Sequence, residues 1–200
     1  NEATDPDPTD STPTTNANTS DGSVDVAAAI AFTYLSSLVE AFLDGGVVNA
    51  TGALGVQARG TRSASSSADS SNVSSSGTGV GVAVAVTIMI ARTFANLLGT
   101  LGITADSVAV TADNPGTDKT EASSLSGQGS TAPGVAGALA VGVTDLETTA
   151  SIGPAANVSV NGSGVTLTAG SGLTTNVSAA PTPGADPSVD GNVGVGASVA

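Results

Sequence analysis

The chain has 200 residues and a formal net charge of −13, from 17 acidic and 4 basic residues, and it contains no cysteine or histidine. The acidic balance argues against nucleic acid and anionic membranes as partners, because both are bound through lysine and arginine. The missing side chains exclude a histidine base, a thiol nucleophile, a disulfide framework and His- or thiolate-ligated metals.

The N-terminal segment 1–23 is rich in Pro, Asp, Thr and Asn and has no large apolar side chain. Such a segment cannot bury enough surface to fold, so we interpret it as a flexible acidic tail, either an inert linker or an assembly arm. We expect any secretion signal to lie outside this sequence or to have been removed.

The remainder is organised by an internal repeat of about 54 residues, the feature that decides architecture when it is present. Each unit opens with a run of small and apolar residues: VDVAAAIAFTY at 24–34, GVGVAVAVTIM at 79–89, GVAGALAVGVT at 134–144 and VGVGASVA at 193–200. We divide the chain into unit 1 at 24–78, unit 2 at 79–133, unit 3 at 134–191 and the start of unit 4 at 192–200.

Within the units the apolar residues recur at every second position, which predicts β-strands with one row of side chains inward and one outward. We assign Val82, Val84 and Val110 to the inward row. Both rows of the opening strands are small or apolar, so these strands are candidates for burial on both faces. Ser66, Ser67 and Ser75 are expected in an exposed loop.

Two segments have helical spacing of apolar residues, at 35–43 and 90–98. The repeat aligns Glu40 with Phe94, and unit 3 has the polar run DLETTASIGP at this place, so strands are favoured and short helices are the alternative. Residues 79–103 are long and apolar enough for a membrane span, but Arg92 falls inside and unit 3 is too polar, so no span is expected.

These features predict an all-β fold, a repetitive β-solenoid (β-helix) in which stacked units share a core and each supplies two coils. Tandem small β-sandwich-like repeats are the alternative.

The unit pattern, seen as GVGVAVAVTIM…TFANLL…DSVAVTAD and AAAIAFTY…VEAFL…GALGVQAR, resembles the repeats of large bacterial surface and secreted adhesins of the filamentous-haemagglutinin and leukotoxin-like class. The resemblance covers about residues 24–200. The Asn-Thr-Thr motif characteristic of that class is absent. The corresponding positions hold Ser37-Leu38-Val39 and Ala91-Arg92-Thr93. The resemblance implies a β-helical shaft that presents or spaces other domains, with no catalytic residues.

Candidate sites are few. Asp113 and Asp118 follow a strand and are weak calcium candidates, with a turn as the favoured interpretation; no other cofactor is expected. Candidate glycosylation sequons begin at Asn18, Asn49, Asn72, Asn157, Asn161 and Asn176. No carboxylate pair or nucleophile motif is present, so no enzymatic activity is expected.

We therefore expect a structural segment of an extracellular or cell-surface filament or adhesin shaft, self-associating head-to-tail through strand edges or coil ends, or continuing into a longer chain. The candidate strand-donor segment consists of Val24, Val26, Ala28, Ile30, Phe32 and Tyr34. The alternative function is a surface module that binds a glycan or host protein through Ser/Thr-rich loops.

Overall fold

The computed structural model describes residues 24–70, 78–127, 134–182 and 194–199, so the N-terminal tail and Ser75 lie outside it. The described chain is all-β, which confirms the predicted class, and the segments 35–43 and 90–98 are strand, not helix. The strands in this part of the chain are β1 Val24–Asn49, β2 Ala53–Arg59, β3 Ser63–Ser70, β4 Thr78–Asp113, β5 Asp118–Gly127, β6 Gly134–Ile152, β7 Ala156–Gly170, β8 Leu173–Thr182 and β9 Gly194–Val199.

The strands pair in parallel with strands of the neighbouring unit and form two sheets. A six-stranded sheet has the order β1-β4-β6-β9, with β2 and β7 also paired to β4, and a three-stranded sheet has the order β3-β5-β8. Val26 pairs with Val80, 54 positions later, and Val80 pairs with Val135, 55 positions later. Parallel pairing needs a long connection between partners, and the remainder of each unit supplies it.

The long strands bend at glycines. Gly45, Gly46 and Gly99 have φ angles of 67°, 98° and 66°, values that side chains with a β-carbon rarely adopt. The register of β1 against β4 shifts between Asp44 and Gly46. Leu97 and Leu101, on either side of the β4 bend, belong to one buried apolar cluster, so the strand folds its two halves around a shared core.

The first halves of the long strands pack on the three-stranded sheet through very small side chains. The shared buried cluster consists of Ala29, Ala31, Ala68, Ala83, Ala85, Ala122 and Ala140. A β-carbon added at Gly81 would overlap the carbonyl oxygen of Gly127, which shows how closely the two sheets approach there. Close-packed interiors tolerate no extra volume, so this layer accepts mainly Gly, Ala, Ser and Thr.

In the first half of β4, the prediction of which row of side chains points inward is therefore wrong. Val82 is 43% exposed and Val84 is half-buried, whereas the intervening Ala83 is fully buried. Ser66 is buried on β3 and not in an exposed loop, while Ser67, beside it, is exposed. Val110 is fully buried, as predicted, because the second half of β4 lines the larger apolar cluster.

Candidate interaction surfaces

All three arginines of the chain form ion pairs with a carboxylate of the following unit. Arg59 lies 4.0 Å from Asp113, Arg62 lies 3.7 Å from Asp118, and Arg92 lies 3.1 Å from Glu147. Stacked strands are about 4.8 Å apart, so a residue and its equivalent one unit later are neighbours. Opposite charges at equivalent positions thus favour this register of the stack over a shifted one.

The Arg62–Asp118 pair is buried, and hydrogen bonds to both side chains surround it. The backbone N–H of Arg62 donates to Asp118 Oδ1 at 2.6 Å. The Arg62 guanidinium donates to the Arg92 carbonyl oxygen at 3.0 Å, to Ser37 Oγ at 3.2 Å and to the Gly60 carbonyl oxygen at 3.3 Å. A buried charge is tolerated only with such partners, so one side chain joins β1 and the β2–β3 connection of unit 1 to β4 and β5 of unit 2.

Asn114 makes a second connection, across three successive units. Its Oδ1 accepts from Thr61 Oγ1 of unit 1 at 2.9 Å, and its Nδ2 donates to the Gly172 carbonyl oxygen of unit 3 at 3.4 Å. Asn114 also accepts from the backbone N–H of Gly116 at 3.3 Å, which fixes the turn before β5. The polar turn is therefore part of the stacking contact between units.

The two calcium candidates, Asp113 and Asp118, are the carboxylates that face Arg59 and Arg62. A cation at Asp118 would have to displace a buried guanidinium. Among the described residues no group of three or more Asp, Glu, His or Cys side chains converges on a common point.

Outward-facing apolar side chains form a regular grid on the first halves of β1, β4 and β6. The pairing register aligns Ile30 with Val84 and Leu139, and the next two outward columns follow in the same way. We call this surface the apolar grid; it consists of Ile30, Phe32, Tyr34, Val84, Val86, Ile88, Leu139, Val141 and Val143. The residues from β1 and β6 are exposed, Ile30 to 73%, and those from β4 are half-buried.

Unit 3 leaves inward-facing apolar side chains uncovered. Val108 of β4 is 1% exposed, but its partner Val165 in β7 is 42% exposed, and Leu167, the partner of buried Val110, is also exposed. Within the described ranges, strand β9 pairs with Gly134–Leu139 of β6 and with no part of β7. The stack is therefore open over β7, where a further strand would bury the same row of residues. We call Val165 and Leu167 the open end.

The candidate strand-donor segment, 24–34, lies in β1, at the outer edge of the six-stranded sheet, and pairs along one side with β4. Its outward residues Ile30, Phe32 and Tyr34 contribute to the apolar grid. Of the sequons, Asn49, Asn157, Asn161 and Asn176 have exposed side chains, and Asn18 and Asn72 lie outside the described residues.

The sequence interpretation missed the buried Arg62–Asp118 pair and the apolar grid. The signal for the pair was present in the sequence, since Arg62 and Asp118 are 56 residues apart. They directly precede Ser63 and Lys119, the first paired residues of β3 and β5. The grid could not be assigned because both rows of the opening strands are apolar.

Comparison with known proteins gave no match to a family model, to a curated protein or to a solved structure. In the part of the chain that the structure describes, no helix is long and apolar enough to cross a membrane. The features of the molecule that bear on function are therefore the pairing of the units and the surfaces that it leaves exposed.

Proposed function

We propose that this chain is a β-solenoid segment of an extracellular filament or adhesin shaft, with a structural and not an enzymatic role. The observation that carries the proposal is the parallel, in-register pairing of units 1, 2 and 3 in both sheets. Each unit then supplies one coil of about 55 residues, not two. A stack that grows by one unit at a time becomes a rod, the shape a shaft requires.

The hydrogen bonds between units support this role. The buried Arg62–Asp118 pair and Asn114 connect neighbouring units through side chains, in addition to the backbone pairing. In a repeat protein, the contacts between neighbours provide much of the stability because a single unit buries little surface alone. Such contacts suit a protein whose function is to hold a fixed length and direction.

The open end supports lengthwise growth. The inward residues Val165 and Leu167 are exposed, and burying them under a further coil would remove apolar surface from water. The covering coil is either a continuation of the chain or unit 1 of a second copy, whose β1, β2 and β3 present the opposite edges of the two sheets. Head-to-tail contacts of this kind are heterologous and propagate into filaments.

A pair of double variants tests lengthwise association. V165D/L167D places two charges on inward positions of the open end, and T166D/T168D places the same charges on outward positions of the same strand. If copies stack on this end, the first variant shortens or abolishes rods in electron micrographs and lowers light scattering, while the second leaves both unchanged. Round single particles for the unmodified chain at every concentration would refute lengthwise assembly of this segment.

A further inference from the structure

We propose that the apolar grid is a lateral docking surface for a second copy of this chain. The proposal goes beyond the filament role, because it concerns the side of the stack and not its ends. The grid combines β-branched, leucine and aromatic side chains, with Phe32 and Tyr34 exposed at one edge. Scattered exposed apolar residues are ordinary on protein surfaces, but a contiguous and regular patch indicates an interaction site.

The chemistry of the grid restricts its partner. No charged residue belongs to it, so it offers nothing to phosphate, to a nucleic acid or to a charged peptide. The nearest charges in the outward rows form one rim, where Arg92 lies 3.7 Å from Asp145 and 3.1 Å from Glu147. The partner surface must therefore be apolar and flat, which is the character of the grid itself.

Segments of this sequence outside the described residues do not match the grid. Residues 1–23 and 128–133 contain no apolar side chain larger than alanine apart from proline, and 71–77 and 183–193 contribute only Val73, Val189 and Val193. These segments cannot supply a row of large apolar side chains that would fill the spaces between the columns of the grid. A second copy supplies a complete matching face.

The arrangement of charges favours one symmetry. A two-fold axis parallel to the stacking direction places the two grids face to face, with the strands of the two copies antiparallel. The rims that contain Asp145 and Glu147 then lie at opposite ends of the interface and do not meet. This axis also preserves the direction of stacking, so the same contact can repeat as units are added. Identical surfaces paired in this way form an isologous interface.

The size of the grid sets the expected affinity. The grid spans five residues along each of three strands, on the order of 17 Å by 14 Å, or about 240 Å² on each copy. Two such faces bury about 480 Å² together, which is well below the usual size of a stable complex. We therefore expect a weak dimer at this chain length, detectable by its dependence on concentration, and tighter pairing in longer stacks.

The test uses charged substitutions at two exposed grid positions. I30E/L139E places a charge at both ends of one column, and S67E/S178E places the same charges at both ends of one exposed column on the three-stranded sheet. In sedimentation velocity of the full chain, I30E/L139E is expected to weaken the dimer roughly tenfold or more, because it buries unpaired charges. S67E/S178E should retain the dimer, and circular dichroism should show both variants folded.

Cross-linking provides a second measurement, which does not depend on the stability of the charged variants. The chain has no cysteine, so Val86→Cys at the centre of the grid and Ser123→Cys on the opposite sheet each introduce a single thiol. Sheets packed face to face lie about 10 Å apart, too far for a direct disulfide, so we expect Val86→Cys to give dimers with a short bismaleimide cross-linker and Ser123→Cys to remain monomeric.

Three results would overturn the proposal. The first is a monomer at all concentrations without Val86→Cys cross-links, and the second is a dimer that I30E/L139E leaves unchanged. The third is flotation of the unmodified chain with neutral phosphatidylcholine vesicles that I30E/L139E abolishes, which would assign the grid to a lipid surface. Loss of lengthwise rods in V165D/L167D bears on the filament role alone and leaves the lateral contact to these measurements.

Discussion

At the scale of single residues, the main feature is that oppositely charged side chains occupy equivalent positions in neighbouring units. A pair of opposite charges at equivalent positions becomes a contact as soon as units stack, and the burial of the pair decides its energetic weight. The Arg62–Asp118 pair is buried, and the Arg59–Asp113 pair is largely exposed to solvent. The two pairs have the same chemistry and differ in environment.

Asp118→Asn is expected to be strongly destabilising. The amide retains an oxygen for the Arg62 backbone N–H but leaves the buried guanidinium without a counterion. Breaking a buried pair in this way costs about 3–5 kcal/mol. Asp113→Asn, at the exposed pair, should cost no more than about 1 kcal/mol. Urea denaturation followed by circular dichroism measures both, and equal midpoints would show that burial of the pair does not control its contribution.

At the scale of the strand, the period of two and the β character follow from the sequence, but the direction of the rows does not. Hydrophobicity separates inward from outward only when one row is polar, and in 80–90 both rows are apolar or small. The outcome is decided by the distance between sheets, which leaves space for Ala83 and Ala85 but not for valine. In the second half of β4, one row faces the larger apolar cluster, and the prediction that Val110 points inward is confirmed there.

Aspartate substitutions distinguish the two rows. Val110→Asp buries an unpaired charge in the large apolar cluster and should be severely destabilising, by several kcal/mol. Ser66→Asp should also be destabilising, because Ser66 is buried against the sheet and hydrogen-bonded to Thr87 at 2.5 Å. Val82→Asp and Ser67→Asp, at exposed positions, should shift the thermal unfolding midpoint little.

Thermal unfolding of these four variants is a direct check of the alternation. A large loss of stability in Val82→Asp, with no loss in Ser66→Asp, would mean that Val82 points inward, as hydrophobicity alone predicts, and would contradict the packing of the sheets. Intermediate effects in both would indicate a first half of β4 that is covered on its outer side, as lateral docking of a second copy would produce.

At the scale of the whole molecule, the repeat and the all-β class could be predicted because both are properties of local pattern. The open end and the apolar grid could not, since they depend on which strands of the described chain cover one another and on which row faces out. Val165 and Val108 are the same residue type at paired positions, and only the presence of a covering strand separates their environments. Which apolar side chains remain exposed is therefore set by the pairing of the strands and not by the local sequence.

Net charge provides a prediction for assembly at this scale. Each copy carries −13, so copies repel one another at long range, while the apolar grid and the open end attract at contact. Salt screens the repulsion, with a Debye length of about 30 Å at 0.01 M and about 8 Å at 0.15 M, and it leaves apolar contacts largely intact. Both lengthwise and lateral association should therefore increase as salt is raised from 0.01 M to 0.15 M.

Light scattering and sedimentation velocity across this range, at constant protein concentration, measure the effect. V165D/L167D and I30E/L139E serve as controls, since each retains one of the two contacts and should retain the salt response of that contact alone. Association that falls as salt rises would mean that ion pairs between copies, and not apolar surfaces, hold the assembly together. The exposed charges of Arg92, Asp145 and Glu147 would then be the first residues to substitute.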